Sequence, residues 1–191
     1  VSLFDLNAPL PIMHEWRISS DYAHSVLSKL LEIGAGDVID VGSGVSTILF
    51  GYGVKKNGTG RVVSLEHSRS YYEKTNALIK AHKLEEYCTV CYCPLVKYDI
   101  DGEERLWYDV KNVQFPGSVS LVSIDGPPGA TQYMARYPAV PLLKDHLQDS
   151  TVLFLDDAYR EEEKLVAERW AANYNFDITR INSHKGFFII E

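Results

Sequence analysis

Two glycines at a strand–helix junction, followed by one acid, are the residues whose types and spacing first predict chemistry. The stretch Asp37 to Thr47 reads DVIDVGSGVST, in which a β-branched run passes through Gly42 and Gly44 into a candidate helix. Such a turn presents backbone N–H groups and a positive helix end to a nucleotide-like ligand. The next predicted strand, RVVSLEH, ends in Glu66, 22 residues after Gly44. An acid about 20 residues beyond the glycines is expected to bind ribose hydroxyls.

The third glycine of the dinucleotide fingerprint is missing, because Thr47 stands at its position. That glycine allows a helix to pack closely on a strand beneath a pyrophosphate. Its absence weakens the prediction of a nicotinamide site. A tight strand–helix turn without any ligand is the simpler alternative, and the turn alone leaves both open.

The elements that must position these residues alternate between helical and strand patterns. A first helix is predicted from Ser19 or Ser20 to Gly34, where apolar residues recur at helical spacing. Five strands and a closing pair of strands are predicted at 38–41, 61–65, 87–92, 118–125, 150–157, 176–181 and 186–190. Ligands bind at the carboxyl ends of the strands in such sheets. The strands at 118–125 and 150–157 both end in aspartate, so we expect these acids at one edge.

Three connecting stretches carry weaker signals. Ser70-x-x-Glu73 is a capping-box pattern, and it predicts a helix to about residue 81 with Ala77, Leu78 and Ala81 turned inward. Residues 97–117 are hard to assign, although Asp101-Gly102 predicts a hairpin turn. Within that stretch, Trp107 and Tyr108 fit a core position and a substrate pocket equally well. Pro138 and Pro141 interrupt the helix expected after the strand at 118–125.

The composition limits the classes of partner. The 191 residues fit one domain, 1–191, with an irregular segment at 1–18 that is either a tail held by Trp16 or a lid. The net charge of −7 and the lack of a Lys/Arg block disfavour a nucleic-acid partner. No apolar run approaches the about 20 residues of a membrane span, so no membrane partner is expected. A homodimer through the apolar N-terminal segment stays open.

Three cysteines lie close together, at positions 88, 91 and 93. An odd, crowded set is not a disulfide framework, and no fourth residue is suitably spaced for a zinc site. We therefore expect reduced cysteines on or beside a strand. Reduced thiols are typical of a reducing compartment, which predicts a cytoplasmic protein.

The motifs VIDVGSGVST, SLEH and SIDGPPG, with the closing pair of strands, resemble a class I S-adenosylmethionine-dependent methyltransferase over residues 16–191. The resemblance implies an α/β, Rossmann-like three-layer sandwich. Its sheet would have seven mostly parallel strands and an antiparallel C-terminal β-hairpin, with the last strand between the fifth and sixth. The IDGPPG and LDDA-type motifs are most similar to those of a bacterial group of uncharacterised methyltransferases, and this resemblance does not indicate which molecule accepts the methyl group.

The same resemblance implies which residues would hold S-adenosylmethionine. The methionine end would be lined by Asp40, Gly42, Ser43 and Gly44, with Ser46 and Thr47 at the helix start. The nucleoside would be held by Glu66 at both ribose hydroxyls, His67 beside the adenine, and Cys93, Pro94 and Leu95 at its other edge. Asp125 would face the cofactor amine or the substrate.

A narrower likeness to catechol-type O-methyltransferases implies a metal. In those enzymes one aspartate after the fourth strand and an Asp-Asn pair after the fifth hold a divalent cation. This chain offers Asp125, Asp156 and Asp157, with Asp in place of Asn. Three carboxylates suit Mg²⁺ or Ca²⁺. Capping of the next helix is an alternative role for Asp156 and Asp157.

Methyl transfer is an in-line displacement, in which positioning supplies most of the acceleration. The acceptor must also lose a proton, and a divalent cation would lower its pKa. Without a metal, Asp125, Asp157 or His67 could act as general base. The sequence therefore predicts O-methylation of a small hydroxylated molecule, with Asp125 and Asp157 as catalytic candidates.

Two other functions stay open at this point. A nicotinamide-dependent oxidoreductase is disfavoured by Thr47, by the single short domain and by the closing hairpin. A module that binds the cofactor without transferring its methyl group is barely distinguished from an enzyme by sequence. A chain that binds NAD(H) but not S-adenosylhomocysteine would be an oxidoreductase. A chain that binds the cofactor but shows no turnover would be a non-catalytic module.

Overall fold

A computed structural model describes residues 4–10 and 18–191. In this part of the chain, the helices are α1 (Ser20–Ile33), α2 (Val45–Asn57), α3 (Arg69–His82), α4 (Ala139–Leu143) and α5 (Glu161–Tyr174). The strands are β1 (Asp37–Val41), β2 (Val62–Glu66), β3 (Cys88–Tyr92), β4 (Leu95–Ile100), β5 (Glu103–Tyr108), β6 (Val119–Ile124), β7 (Leu147–Asp156), β8 (Ile178–Ile181) and β9 (Phe187–Ile190). None of these helices has the length and apolar run that crossing a bilayer requires.

Seven strands form one sheet in the order β3-β2-β1-β6-β7-β9-β8. Neighbours from β3 to β7 pair in parallel, whereas β9 runs antiparallel between β7 and β8. The reversal of order beside β1 brings the ends of β1 and β6 together, and this is where open α/β sheets bind ligands. The Rossmann-like, mostly parallel sheet with a C-terminal hairpin is confirmed.

Apolar side chains cover both faces of this sheet, which makes three layers. On one face, α1, α2 and α3 pack on alternate strand residues such as Val38 and Leu121. On the other face, α4, α5 and the β4–β5 hairpin pack on the intervening residues such as Ile39 and Val122. The central strands are buried on both faces, so they consist of continuous apolar runs.

The predicted inward face of α3 was wrong. The helix begins at Arg69 with Ser68 at its N-cap, so the capping box expected at residues 70 and 73 does not form. Glu73 instead pairs with Arg69, at 2.8 Å. The residues that α3 buries are Thr75, Ile79 and His82, whereas Ala77 and Ala81 are exposed and Leu78 is half-buried. Alanine and leucine at helical spacing did not fix which side of the helix faces the sheet.

The stretch that sequence left unassigned is an antiparallel hairpin of its own. Strands β4 and β5 pair from Leu95–Tyr108 to Ile100–Glu103. Asp101 and Gly102 adopt left-handed φ angles of 57° and 78°, as the Asp-Gly turn predicted. Farther along, regular helix is restricted to Ala139–Leu143. Pro138 is its N-cap, which fits the expected break there, but Pro141 lies in the first turn of this helix and does not interrupt it.

The N-terminal segment bears on the predicted lid. Of the expected irregular segment 1–18, the part 11–17 with Trp16 lies outside the described residues. Residues 4–10 pack against the far side of the α2–α3 pair, where Asn7 donates hydrogen bonds to the Tyr52 hydroxyl and the His82 carbonyl oxygen. Residues 4–10 do not line the cavity considered next, whereas Ile18, the last residue of the expected segment, does.

Candidate active site

A cavity of about 880 Å³ opens at the carboxyl ends of the central strands. Its walls come from the β1–α2 turn, the end of β2, the loop after β6 and the end of β7. This volume is in the upper part of the range for small-molecule sites. The predicted residues that line it are Gly42, Ser43, Gly44, Ser46, Glu66, His67, Asp125 and Asp157.

Two glycines that line the cavity, Gly42 and Gly126, lie where the β1–α2 turn meets the loop after β6. Gly42 has a φ of 108°, a conformation that favours glycine, and an added Cβ would lie 3.3 Å from the Gly126 nitrogen. A Cβ on Gly126 would overlap the Tyr108 hydroxyl and lie 3.3 Å from the Gly42 Cα. The two backbones therefore meet without side chains between them. This leaves room for a ligand to approach the backbone at the sheet's edge.

Glu66 presents its carboxylate to the cavity although it is only 4% exposed. The Ser43 hydroxyl donates to its Oε2 at 2.9 Å, and the Ser68 backbone N–H donates to its Oε1 at 2.8 Å. The His67 Nδ1 lies 3.3 Å from Oε1. A carboxylate oxygen has two lone pairs, so each oxygen retains acceptor capacity. The side chain is thus fixed in place and still able to accept two hydroxyl groups.

Asp40 and Thr47 are not among the residues that line the cavity. Asp40 lies beneath the start of α2, where its Oδ2 accepts hydrogen bonds from Ser46, Thr47 and Ser64 at 3.0, 2.7 and 3.2 Å. Burial raises the pKa of the Asp40 carboxyl to about 7. Thr47 Oγ1 also accepts a hydrogen bond from the Gly44 N–H. This network braces the glycine turn from behind.

Cys93, Pro94 and Leu95 do not line the cavity either. The chain leaves the sheet there to enter the β4–β5 hairpin. The Cys93 N–H donates to the Glu66 carbonyl oxygen, so this residue supports the site through its backbone. Tyr108, the cross-strand partner of Leu95, lines the cavity instead, and its ring lies 5.8 Å from that of His67. Of the two aromatic residues left undecided by sequence, Tyr108 therefore faces the cavity and Trp107 is wholly buried.

The cysteines are free thiols, as expected. Burial raises the pKa values of Cys88 and Cys93 to about 12, so both thiols are protonated at neutral pH. Among the described residues, the cysteines are not part of any group of three or more side chains placed to bind a metal.

The three aspartates after β6 and β7 do converge. One carboxylate oxygen from each of Asp125, Asp156 and Asp157 lies within 4.8 Å of the other two. Asp125 is 25% exposed at the cavity, Asp157 is 7% exposed, and Asp156 is wholly buried behind them. These aspartates do not cap α5, because its N-cap is Arg160.

The guanidinium of Arg136 lies among these aspartates. Its Nη2 donates to Asp125 Oδ1 and Asp157 Oδ2, both at 2.9 Å. The same group donates to two backbone carbonyl oxygens, from Nη2 to Asp125 at 2.8 Å and from Nη1 to Asp156 at 2.9 Å. Glu163 Oε1 lies 3.8 Å from its Nε. Arg136 is 3% exposed, so it is an internal counter-charge.

Burial and charge act in opposite directions on the pKa values in this cluster. Burial raises the pKa of Asp156 to about 7, and the neighbouring Asp125 and Asp157 add to the effect. Burial also raises the pKa of Asp125, while Arg136 opposes the rise. Burial lowers the pKa of Arg136, but Asp125 and Asp157 reverse this and keep it charged.

The residues present do not fit a divalent cation. Mg²⁺ or Ca²⁺ would need carboxylate oxygens at about 2.0–2.6 Å. Arg136 Nη2 already lies at hydrogen-bond distance from one oxygen of Asp125 and one of Asp157. Two further cations are close, because Arg160 Nη1 lies 3.0 Å from Asp157 Oδ2 and Lys185 Nζ lies 3.8 Å from Asp157 Oδ1. Asp125 and Asp157, two of the three acids that sequence predicted as metal ligands, are thus already paired with side chains. Both carboxylate oxygens of Asp156 lack a hydrogen-bond partner among the described residues, and Lys185 Nζ lies 4.0 Å from its Oδ2.

Arg136 and Tyr108 are two cavity residues whose roles sequence reasoning missed or left open. Arg136 stands in YMARYPAVPLL, a largely apolar stretch. A charged residue among buried apolar neighbours must find a partner, and the predicted acids were the available ones. An arginine within an apolar stretch was therefore the signal in the sequence for a buried ion pair. It does not reveal which acid a lone arginine reaches.

Several solved structures similar to this chain are described as methyltransferases. An O-methyltransferase from Bacillus cereus, in complex with S-adenosylhomocysteine, matches with a TM-score of 0.71, 16% identity and coverage of 95% of this chain and 83% of that one. The S-adenosylhomocysteine-bound methyltransferase PaMTH1 of Podospora anserina matches with a TM-score of 0.71, 11% identity and coverage of 93% and 80%. The O-methyltransferase TomG of Streptomyces achromogenes, solved with S-adenosylmethionine, matches with a TM-score of 0.68, 13% identity and coverage of 92% of this chain and 81% of that one. At these identities the likeness concerns the fold.

The sequence comparison reaches the family. No curated protein matches the sequence. A family model described as "Methyltransferase domain" matches residues 39–158, which include the glycine turn, Glu66 and all three aspartates of the cluster. This match decides against the nicotinamide-dependent alternative. Because the model spans more than half of the chain, the chain belongs to this methyltransferase family, and it is an S-adenosylmethionine-dependent methyltransferase.

Proposed function

We propose that the chain methylates an oxygen of a small hydroxylated molecule. The observation that carries the proposal is the placement of Glu66 and the Asp125–Asp157 pair around one cavity. Glu66 is available to bind the methyl donor, and the Asp125–Asp157 pair is available to bind the methyl acceptor. A cavity within the size range of small-molecule sites and the net charge of −7 favour a small molecule over a nucleic acid.

On the donor side, S-adenosylmethionine supplies an activated methyl group for in-line displacement. Glu66 would accept the two ribose hydroxyls, because both of its oxygens are held by other donors and still have free lone pairs. Gly42 and Gly44 would let the methionine end approach the backbone. Ser43 and Ser46 would contribute hydroxyls at the cavity wall, and His67 would lie beside the adenine.

On the acceptor side, Asp125 is the candidate general base. Its carboxylate is the most exposed of the three aspartates, and burial raises its pKa, which improves a carboxylate as a base near neutral pH. It would accept the proton of the acceptor hydroxyl as that oxygen attacks the methyl carbon. Asp157 would hold the hydroxyl in line. His67, which also lines the cavity, is the alternative base.

The donor half is tested by calorimetry with S-adenosylhomocysteine. Glu66→Ala removes two hydrogen bonds to a charged acceptor, each worth about 1.5–3 kcal/mol, so we expect the affinity to fall by a hundredfold or more. The affinity of Glu66→Gln for S-adenosylhomocysteine should lie between those of the wild type and Glu66→Ala. Glu161→Gln is the matched control, since Glu161 also lines the cavity but its side chain is 74% exposed. Unchanged affinity in Glu66→Ala would remove the proposed donor site.

The acceptor half is tested by transfer of a radiolabelled methyl group to a panel of phenols, catechols, sugars and amines. We expect products methylated on oxygen, and much lower kcat in Asp125→Asn and Asp157→Asn with little change in S-adenosylhomocysteine affinity. Full turnover in both variants would exclude the carboxylate role. Methylation of amines alone would contradict the choice of oxygen. Binding without turnover on any acceptor would favour a non-catalytic module.

Two further expectations belong to this proposal. A cytoplasmic location is supported by three free cysteines. A homodimer is tested by measuring the molar mass in solution by light scattering.

A further inference from the structure

We propose that Arg136 is a built-in replacement for a divalent cation: the carboxylate cluster binds no metal, and the chain transfers methyl groups without one. The second half rests on the proposed function. The first half concerns only the cluster of Asp125, Asp156, Asp157 and Glu163.

The first step in the argument is geometric. Arg136 Nη2 contacts Asp125 and Asp157 at equal distances of 2.9 Å, so it holds both carboxylates as a bridging cation would. A charge-assisted hydrogen bond at this distance is a strong one. A metal ion between the same two oxygens would have to displace this nitrogen.

The second step is that the arginine is tied to the fold as well as to the acids. Its hydrogen bonds to the carbonyl oxygens of Asp125 and Asp156 join the carboxyl ends of β6 and β7. The side chain borders the cavity but is only 3% exposed. Moving Arg136 away would leave buried carboxylates and carbonyls without partners, which is costly. The guanidinium is therefore a permanent part of the site.

The third step is charge. Four carboxyl groups face three cationic side chains in this cluster, because Arg160 and Lys185 add to Arg136. The cluster is close to neutral before any ion arrives. A divalent cation would enter against these three positive charges, and like charges in a partly buried site repel strongly. Three aspartates without an arginine would instead carry a net negative charge, which attracts a divalent cation.

The direct test is the electron paramagnetic resonance signal of free Mn²⁺ during titration into the whole protein. We expect the wild type to show no saturable site. In Arg136→Ala, which removes the nitrogen between the carboxylates, we expect a Mn²⁺ site to appear and to disappear again when Asp157→Asn is added. Arg136→Gln serves the same purpose if the alanine variant does not fold. Arg160→Ala is the matched control: it removes a partly exposed cation from the same Asp157 but leaves Arg136, so no site should appear.

Saturable Mn²⁺ binding by the wild type that Asp125→Asn or Asp157→Asn abolishes would overturn the proposal. A folded Arg136 variant that gains no site would also overturn it, since the guanidinium would then not be what excludes the ion. Turnover is compared in EDTA and in MgCl₂, and it should be equal. Loss of turnover in EDTA would refute metal-free transfer. Failure of all turnover with the expected Mn²⁺ result would contradict the proposed function and leave the arginine-for-metal substitution standing.

Discussion

Replacing Asp40 with asparagine is expected to change how the stability of the chain depends on pH. The Asp40 carboxyl is 1% exposed, its Oδ2 accepts three hydroxyl hydrogen bonds, and its Oδ1 has no hydrogen-bond partner among the described residues. Burial of the charged form is the main cause that raises its pKa from 3.8 to about 7. Asparagine keeps an oxygen for the hydroxyls of Ser46, Thr47 and Ser64 but never ionises.

The sign of the effect follows from the protons that each state binds. Between pH 3.8 and about 7, the unfolded chain has released the Asp40 proton while the folded chain still holds it. The unfolded state then binds fewer protons, so the free energy of unfolding falls as the pH rises through this window. At about 1.4 kcal/mol for each pH unit, the loss from Asp40 reaches about 4 kcal/mol above pH 7. The asparagine variant should not suffer this loss.

The assay is urea unfolding of both proteins at pH values from below the lower pKa to above the higher one. The other acids titrate in both proteins, so their contributions cancel in the difference. Asp37→Asn, at the opposite and partly exposed end of the same strand, makes the same change from acid to amide outside the buried network and is the comparison variant. Wild type and Asp40→Asn losing equal stability from acid to neutral pH would show that the buried carboxylate ionises without cost. The reasoning about its environment would then be refuted.

Two other substitutions test the cavity floor and the core behind the acid cluster. Gly126→Ala places a methyl group against the Tyr108 hydroxyl and the Gly42 backbone, so we expect a loss of about 1–3 kcal/mol in unfolding free energy and weaker S-adenosylhomocysteine binding by calorimetry. Normal binding and stability would mean that the two backbones are not in contact. Trp170→Phe removes the indole N–H that donates to the buried Tyr137 carbonyl at 2.9 Å, and urea unfolding should show a loss of about 1–3 kcal/mol. A neutral result would indicate that water replaces the indole at that carbonyl.

Local patterns in the sequence determined the elements and the residues near their ends. The strand–glycine–helix junction at Gly42, the acid at Glu66 and the Asp101-Gly102 turn all lie where the sequence predicted. The same holds for the convergence of aspartates after β6 and β7, because neighbouring parallel strands bring their carboxyl ends to one edge. Each of these predictions depends on residues close in sequence or on the pairing of whole strands.

Only the tertiary structure decided where individual side chains point. The prediction of which side of α3 is buried was wrong, because helical spacing fixes the period of the apolar residues but not which side of the helix faces the sheet. Cys93 and Leu95 do not line the cavity because the chain turns into a separate hairpin there, and Tyr108 returns from it to line the cavity. Those contacts join residues far apart in the chain.

Arg136 shows the limit most clearly. The sequence determined three acids and an arginine within an apolar stretch, and it predicted a metal from the acids alone. The fold carries Arg136 back to Asp125 and Asp157, 11 and 21 residues away, and buries all of them together. A buried charge must be paired, but pattern and spacing cannot say whether an ion or a side chain pairs it. That choice depends on packing in three dimensions, which no local stretch of this sequence encodes by itself.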